Sequence, residues 1–366
     1  MTNALNLQEI DQEQFFNLSK FFIQSKNNLA IFGHRGLGKT FIAIQAAKEC
    51  NLKINYVNLS VIERSDLAGY PDMNSIGDII TYKSPYFLPK LKDGEEPDSI
   101  ILFDEVDKAP QEVTAPLLEI LQFKKINGQR INVVSSILTG NLLNEGANSN
   151  HVSTALLDRC AKYILSFDFN NWLTWAKANN VHELILGFLK TNEEFACGKI
   201  NDVNYASPSP RGWTLASEAL IKAQELKIND IEVISQIISG FVGNEAGLRF
   251  KIWFEYYRKF EPFVKELVED GKLNIVYKDL IPTEKLIFVI SACYFAKQKV
   301  IQGKNKFIYL ENLINFFDTY NVDQEIQVVG LCNSFTIANI TKYKLYDCKL
   351  FFDHFSKLNK NIIIKK

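Results

Sequence analysis

The sequence predicts an α/β fold, a parallel sheet flanked by helices, followed by a helical remainder of the chain. Three observations carry this. The stretch Gly33-His34-Arg35-Gly36-Leu37-Gly38-Lys39-Thr40 reads G-x-x-x-x-G-K-T and lies between the apolar run Leu29-Ala30-Ile31-Phe32 and the apolar-periodic Phe41 to Cys50, in the order strand, loop, helix. A further short apolar run at 100–103, and the segment Ser135 to Leu138, read as strands buried on both faces, as parallel sheets require. Towards the C-terminus, stretches such as Glu284 to Val300 and the aromatic-rich Phe250 to Phe263 read as helices with apolar stripes.

Length and composition bound the reading. At 366 residues the chain predicts two or three domains. Hydrophobic residues at 47% and charged residues at 23% suit a globular protein, and no apolar run reaches the roughly 18–20 residues of a membrane span. The start, Met1 to Ile10, is polar and carries Glu9, which predicts no secretory leader and a cytoplasmic location. Lys and Arg total 41 against 42 Asp and Glu, so there is no overall basic field for holding nucleic acid, although a local basic pore lining stays open. The six cysteines, at 50, 160, 197, 293, 332 and 348, form no C-x-x-C pair and have no histidine at ligand spacing; they are expected as buried thiols, not as a zinc site or a disulfide framework.

Taken in order, Asp11 to Ser25 places Phe15, Phe16, Leu18, Phe21, Phe22 and Ile23 near a 3.6 period, an amphipathic helix that packs on the sheet. In the loop that follows the first apolar run, glycines let successive N–H groups point inward, and the next helix offers its positive end to phosphates. Lys39 supplies a mobile charge for the outer phosphates, and the Thr40 hydroxyl is placed to ligate Mg²⁺. Residues 33–40 are therefore expected to cradle a nucleoside triphosphate. Ile54 to Leu59 alternates as a strand with Asn58 near its end. Ser65 to Pro89, punctuated by Gly and Pro, reads as an insertion holding a strand-like Asp78 to Tyr82, and long loops of this kind are usually functional.

Ser99 to Asp107 then sets Asp104 and Glu105 at the carboxyl end of a buried strand, where open parallel sheets bind ligands. Asp104 is expected to hold Mg²⁺ through water and Glu105 to polarise the water that attacks a γ-phosphate. Ala109 to Phe123 reads as a helix, with Pro116 a potential kink, and Lys124 to Val134 as a hairpin turning at Asn127-Gly128. Ser135 to Leu138 is a buried strand whose tip, Thr139-Gly140-Asn141, faces the same crevice, so Asn141 is placed to orient the attacking water. Arg159, just before the strand-like Tyr163 to Leu165, and Arg211, at the start of a helix running to about Leu226, are each suited to a γ-phosphate. From the residues alone, a surface ion pair for Arg159 and a helix-start role for Arg211 are equally open.

From about residue 25 to 243 this set resembles the AAA+ ATPases. Gly33 to Thr40 looks like Walker A, Ile100 to Glu105 like Walker B, Asn141 like sensor 1, Arg159 in L-L-D-R like the arginine finger and Arg211 in S-P-R like sensor 2. Asn58 is similar in placement to the residue that restrains the catalytic glutamate until ligand binds. The resemblance implies ATP and Mg²⁺ as cofactors and a P-loop NTPase core at 1–166. It further implies a helical lid carrying the sensor-2 helix at 167–243, with a helical C-terminal extension of unassigned role at 244–366.

Ser65 to Gly69, Ser84-Pro85-Tyr86-Phe87, Asp104 to Pro110, Leu117-Leu118-Glu119 and Leu156 to Arg159 look like the MoxR branch, which carries an insert in its second helix and a hairpin before sensor 1. That likeness implies a hexameric ring that remodels protein clients, with a von Willebrand factor A-domain partner. Two positions depart from the branch: no proline follows Asn141, and Cys160 stands where phenylalanine usually follows the finger arginine. Three other readings stay open: a nucleic-acid motor similar to the McrB NTPases, a non-hydrolysing ATP-dependent scaffold, and an enhancer-type transcription activator. The neutral charge balance, the intact Glu105 and Asn141, and the lack of a recognisable DNA-binding module weigh against them in turn.

Overall fold

A computed structural model of the chain describes residues 7–74, 80–85, 87–88, 90–142, 152–198, 207–303, 306–335 and 337–358. It divides into two compact units, Met1–Trp172 with Ile200–Val203, and Leu173–Lys199 with Asn204–Lys366.

The first unit is built on a parallel sheet. Its strands are β1 (Glu9–Ile10), β2 (Leu29–Gly33), β3 (Lys53–Asn58), β6 (Ser99–Asp104), β9 (Ser135–Gly140) and β10 (Ala161–Leu165), in the spatial order β1-β10-β2-β9-β6-β3. Two-stranded ribbons pair β4 (Tyr70–Pro71) with β5 (Tyr82–Lys83) and β7 (Lys125–Ile126) with β8 (Gln129–Arg130). The helices are α1 (Gln12–Gln24), α2 (Lys39–Glu49), α3 (Arg64–Ala68), α4 (Thr114–Phe123) and α5 (Thr154–Leu157), and α6 (Phe169–Ala178) crosses the boundary between the units.

The apolar runs become the central strands. Ile100, Ile101, Leu102 and Phe103 of β6 are fully buried, as are Leu29, Ala30 and Ile31 of β2. Each large side chain so buried contributes about 1.5–3 kcal/mol. Edge strand β3 is mostly half-exposed, which is why its sequence alternates instead of running apolar.

Register does the rest. Leu165 pairs with Gly33, Phe32 with Gly140, Phe103 with Leu138 and Asn58 with Asp104, so the ends of β2, β9, β6 and β3 lie along one edge of the sheet.

Several local expectations are realised in detail. Asp11 caps α1 by accepting from the Gln14 N–H at 2.8 Å while the Gln14 side chain accepts from the Asp11 N–H, a capping box. The hairpin turns at Asn127 (φ 48°) and Gly128 (φ 74°), both left-handed, as a two-residue turn between paired strands requires.

Other local expectations need correcting. Helix α4 starts at Thr114, after a turn of 3₁₀ helix at Gln111–Val113. Pro116 thus sits in the first turn, where a missing N–H costs no helical hydrogen bond, and no interior kink arises. The expected strand Asp78 to Tyr82 falls partly outside the described residues, and what is described is the Tyr82–Lys83 pairing with Tyr70–Pro71. Strand β1 was not legible at all, because two residues carry no period; its Glu9 pairs with Ile164. Of the six cysteines, Cys160, Cys293 and Cys348 are buried and the other three only partly so. The tail Asn359 to Lys366 lies outside the described residues.

The second unit is helical among the described residues: α7 (Glu183–Thr191), α8 (Pro210–Glu225), α9 (Ile231–Val242), α10 (Asn244–Asp270), α11 (Pro282–Gln302), α12 (Lys306–Thr319), α13 (Gln324–Ser334), α14 (Ile337–Lys342) and α15 (Lys349–Leu358). Helices on both sides of residue 243 share this unit. Phe188, Trp213, Phe250 and Trp253 form its aromatic centre: Phe188 stands 5.5 Å from the rings of Trp213 and Phe250 and 6.2 Å from that of Trp253. At the join of α9 and α10 the chains approach closely. A Cβ on Gly247 would lie 2.8 Å from the Ser239 Cα, so only glycine fits there. No described helix is long and apolar enough to cross a membrane.

Candidate active site

The strand ends gather one cluster. Past β2 the chain turns through Gly36 (φ 76°) and Gly38 (φ 89°), left-handed conformations that glycine adopts without strain, and α2 starts at Lys39. The loop's N–H groups and the start of an 11-residue helix make a setting for an anion. Lys39 is only 8% exposed, and its Nζ donates to the carbonyls of Gly33 (2.6 Å) and His34 (2.8 Å) and to Asn141 Oδ1 (3.3 Å). Its charge is thereby held at the base of the loop and desolvated, where it acts most strongly on a phosphate. Burial, and then the charge of Lys39, lowers the pKa of the His34 imidazole and keeps that loop side chain neutral at pH 7.

Asp104 is fixed by four donors. Its Oδ2 accepts from Thr40 Oγ1 (3.0 Å) and the Tyr56 hydroxyl (3.1 Å), and its Oδ1 from the Glu105 N–H (3.0 Å) and the Thr139 hydroxyl. A hydroxyl and a carboxylate oxygen 3.0 Å apart beside a phosphate loop are the hard donors that Mg²⁺ takes, its other positions going to phosphate and water. The residues present therefore fit a nucleotide-bound Mg²⁺.

Glu105 follows in a left-handed conformation (φ 57°), strained for a non-glycine residue and concentrated at functional positions in proteins generally. Its Oε1 accepts from Lys108 Nζ at 2.8 Å. That bond, together with the Ser60 hydroxyl and the charges of Lys108 and Arg35, keeps the carboxyl below the usual glutamate range despite partial burial.

Asn58 ends β3, but its Oδ1 accepts from the N–H (2.9 Å) and hydroxyl (2.8 Å) of Ser60, and it is Ser60 that bears on Glu105. Asn141 is held from the other side: its N–H donates to Asp107 Oδ1 (2.9 Å) and its Nδ2 to Asp107 Oδ2 (3.3 Å), a carboxylate only 1% exposed. The loop beyond it, Asn144 to Gly146, lies outside the described residues.

Thus Lys39, Thr40, Asp104, Glu105, Asn58 and Asn141 share one edge. Arg159 does not join them. It precedes β10, whose Ala161 pairs with Leu29 at the start of β2, so it lies at the opposite end of the sheet from the loop. The strands alone separate the two by roughly 15 Å. Within the second unit, Arg211 is exposed in the first turn of α8, whose N-cap Ser209 accepts from the Gly212 N–H at 3.0 Å.

Residues 29–166 match the sequence profile of the ATPase family associated with various cellular activities, AAA. They are an AAA domain. Three solved structures are similar to this chain. One is a candidate ATPase from Cytophaga hutchinsonii, at 15% identity over 97% of this chain and 91% of that one, TM-score 0.32. Another is the Thermotoga maritima RuvB Holliday junction branch migration motor, at 11%, 71% and 75%, TM-score 0.34. The third is Brucella abortus NtrX in complex with ATP, at 15%, 87% and 67%, TM-score 0.32. No curated protein matches the sequence. The AAA domain covers β2 to β10 and with them the phosphate loop, Asp104, Glu105, Asn141 and Arg159.

Several site residues of the AAA domain escaped the sequence reading. Tyr56 lies two residues from the expected Asn58 on β3 and therefore on the same face, a signal that was available. Thr139 and Asp107 stood inside quoted motifs, but their roles come from cross-strand proximity to Asp104 and Asn141.

The Lys108 contact yields a pH prediction. Because the cation favours the ionised form of Glu105, Lys108→Met should raise the pKa of Glu105. Were Glu105 the base of a hydrolytic reaction, turnover on acidification should then fall at a higher pH than in the parent. A kcat profile from pH 8 downwards measures this, and an unmoved acid limb would count against Glu105 as the titrating base.

Proposed function

We propose that the protein binds ATP with Mg²⁺ and hydrolyses it in a homo-oligomeric ring, using the cycle to remodel protein clients in the manner of the MoxR-like branch. Lys39 and the loop N–H groups would hold the outer phosphates, Thr40 and Asp104 the metal. Glu105 would take a proton from the attacking water that Asn141 helps orient, and Asn58 would restrain Glu105 through Ser60. The bound metal would neutralise charge developing on the γ-phosphate.

The observation that carries the assembly reading is the placement of Arg159 at the far end of the sheet from its own loop. An arginine there reaches a γ-phosphate only in another subunit, which makes turnover depend on assembly. We assign Arg211 to sensing phosphate. A cation in the first turn of a helix opposes the helix dipole, so a helix-start role gives no reason for it.

Specific ATPase activity measured against protein concentration, with mass determined in parallel with and without ATP and Mg²⁺, tests the proposal. Activity per subunit should rise as the ring assembles. Constant specific activity from a monomer would sink the shared-site part of the reading.

A further inference from the structure

We infer that Gln122 is a positioning residue for Arg159, holding the guanidinium in a fixed orientation at the subunit surface; the inference rests on the shared-site reading above. Gln122 is in the last turn of α4, with its side chain exposed. Its Oε1 accepts from two nitrogens of Arg159, Nε at 3.0 Å and Nη2 at 2.8 Å, while Nη1 donates to the Ala155 carbonyl at 2.6 Å. Three of the five guanidinium N–H groups are thereby engaged by the arginine's own subunit, leaving two for an incoming phosphate oxygen.

A half-buried arginine whose guanidinium reaches the surface otherwise samples several rotamers. Anchoring one edge of the planar fork removes that search before the neighbour's nucleotide arrives.

The anchor is itself anchored. Asn28, 8% exposed at the start of β2, donates from Nδ2 to the carbonyls of Leu121 (2.9 Å) and Arg159 (3.0 Å). Its Oδ1 accepts from the Ser136 N–H (3.3 Å) and from Lys124 Nζ. One buried amide, with its hydrogen-bonding capacity used, therefore joins the backbone next to Gln122 to the backbone of Arg159. The distance between acceptor and guanidinium is set by buried structure, not by two free surface side chains. The amide adds reach at an exposed position where packing asks for nothing.

Gln122→Ala should lower kcat by about tenfold at saturating ATP with KM for ATP unchanged, since nucleotide is held at the opposite edge of the sheet. Gln122→Glu, which keeps an acceptor at the same reach, should recover most of the turnover. Mixing Gln122→Ala with Glu105→Gln subunits should raise turnover per Gln122→Ala subunit several-fold, because the neighbour then contributes a correctly held arginine. A defect in the variant's own fold or nucleotide site would not be repaired in this way.

Turnover of Gln122→Ala equal to or above the parent overturns the inference, and so does a loss that neither Gln122→Glu nor mixing restores. Arg159→Ala, measured alongside, separates the two levels. If it is inactive while Gln122→Ala matches the parent, only the positioning role fails. If it retains full turnover, the shared-site reading fails as well.

Discussion

Glu105→Gln is expected to bind ATP as the parent does and to turn it over at least ~10²-fold more slowly, the size of a lost general base. The substitution leaves the loop, Lys39 and the Thr40–Asp104 pair untouched, so the groups proposed to hold phosphate and metal persist. The amide is close in shape to the carboxylate and can still accept from Lys108, so the turn at Glu105 is retained while the proton acceptor is lost. ATP should therefore accumulate on an assembled state that does not release. Equilibrium binding of labelled ATP together with single-turnover hydrolysis reads both halves. Loss of binding would contradict the assignment of Glu105 to water activation, because the structure gives its carboxylate no place among the phosphate-holding groups.

Arg159→Ala should be the second large effect, about 10³-fold or more in kcat, the range for an arginine that meets a transferring phosphoryl group. Its signature is in mixtures. Arg159→Ala retains the base, and Glu105→Gln retains the arginine, so each inactive variant supplies what the other lacks and mixed assemblies should hydrolyse ATP. The geometry forces this form of the prediction, since Arg159 and the loop of the same chain sit at opposite ends of parallel, in-register strands. Mixtures no more active than either variant would place the arginine's effect within one subunit and end the argument for a shared site.

What could be read from the sequence divides along physical lines. Two central strands announced themselves because a strand buried on both faces is apolar over most of its length, as Leu29 to Phe32 of β2 and Ile100 to Phe103 of β6 are, whereas buried β9 is apolar only at Ile137 and Leu138. The placement of residues 33–40, Asp104 and Glu105 was legible because each pattern is local: a glycine turn opening a helix, and carboxylates at the end of a buried strand. Strand β1 was not, since two residues pairing with β10 leave no periodic trace. The start of α4 was placed too early because Pro110 also suits a first helical turn, and there a 3₁₀ turn intervenes.

Residues whose roles arise from register were the hardest. Asn58 was expected to restrain Glu105 directly; its Oδ1 accepts from Ser60, and it is Ser60 that bears on Glu105. Thr139 and Tyr56 reach Asp104 only because three strands end together. Gln122 carried no local signal, for nothing in its neighbours indicates that an arginine 37 positions later returns to it.

The gradient of burial across the sheet has a dynamic counterpart. Strands β2, β6 and β9 have neighbours on both sides, whereas β3 is paired only with β6 and stands half in solvent. Local opening costs least where few apolar contacts are lost, so β3 should fray long before the strands that carry the loop and the paired carboxylates. Each such excursion would carry away Tyr56, and with it one of the two donors on Asp104 Oδ2, while leaving Thr40 and its bond in place. Asp104 Oδ2 thus keeps one constant partner and one intermittent one, and under the proposed metal role its readiness to exchange a protein donor for a cation would follow the breathing of an edge strand.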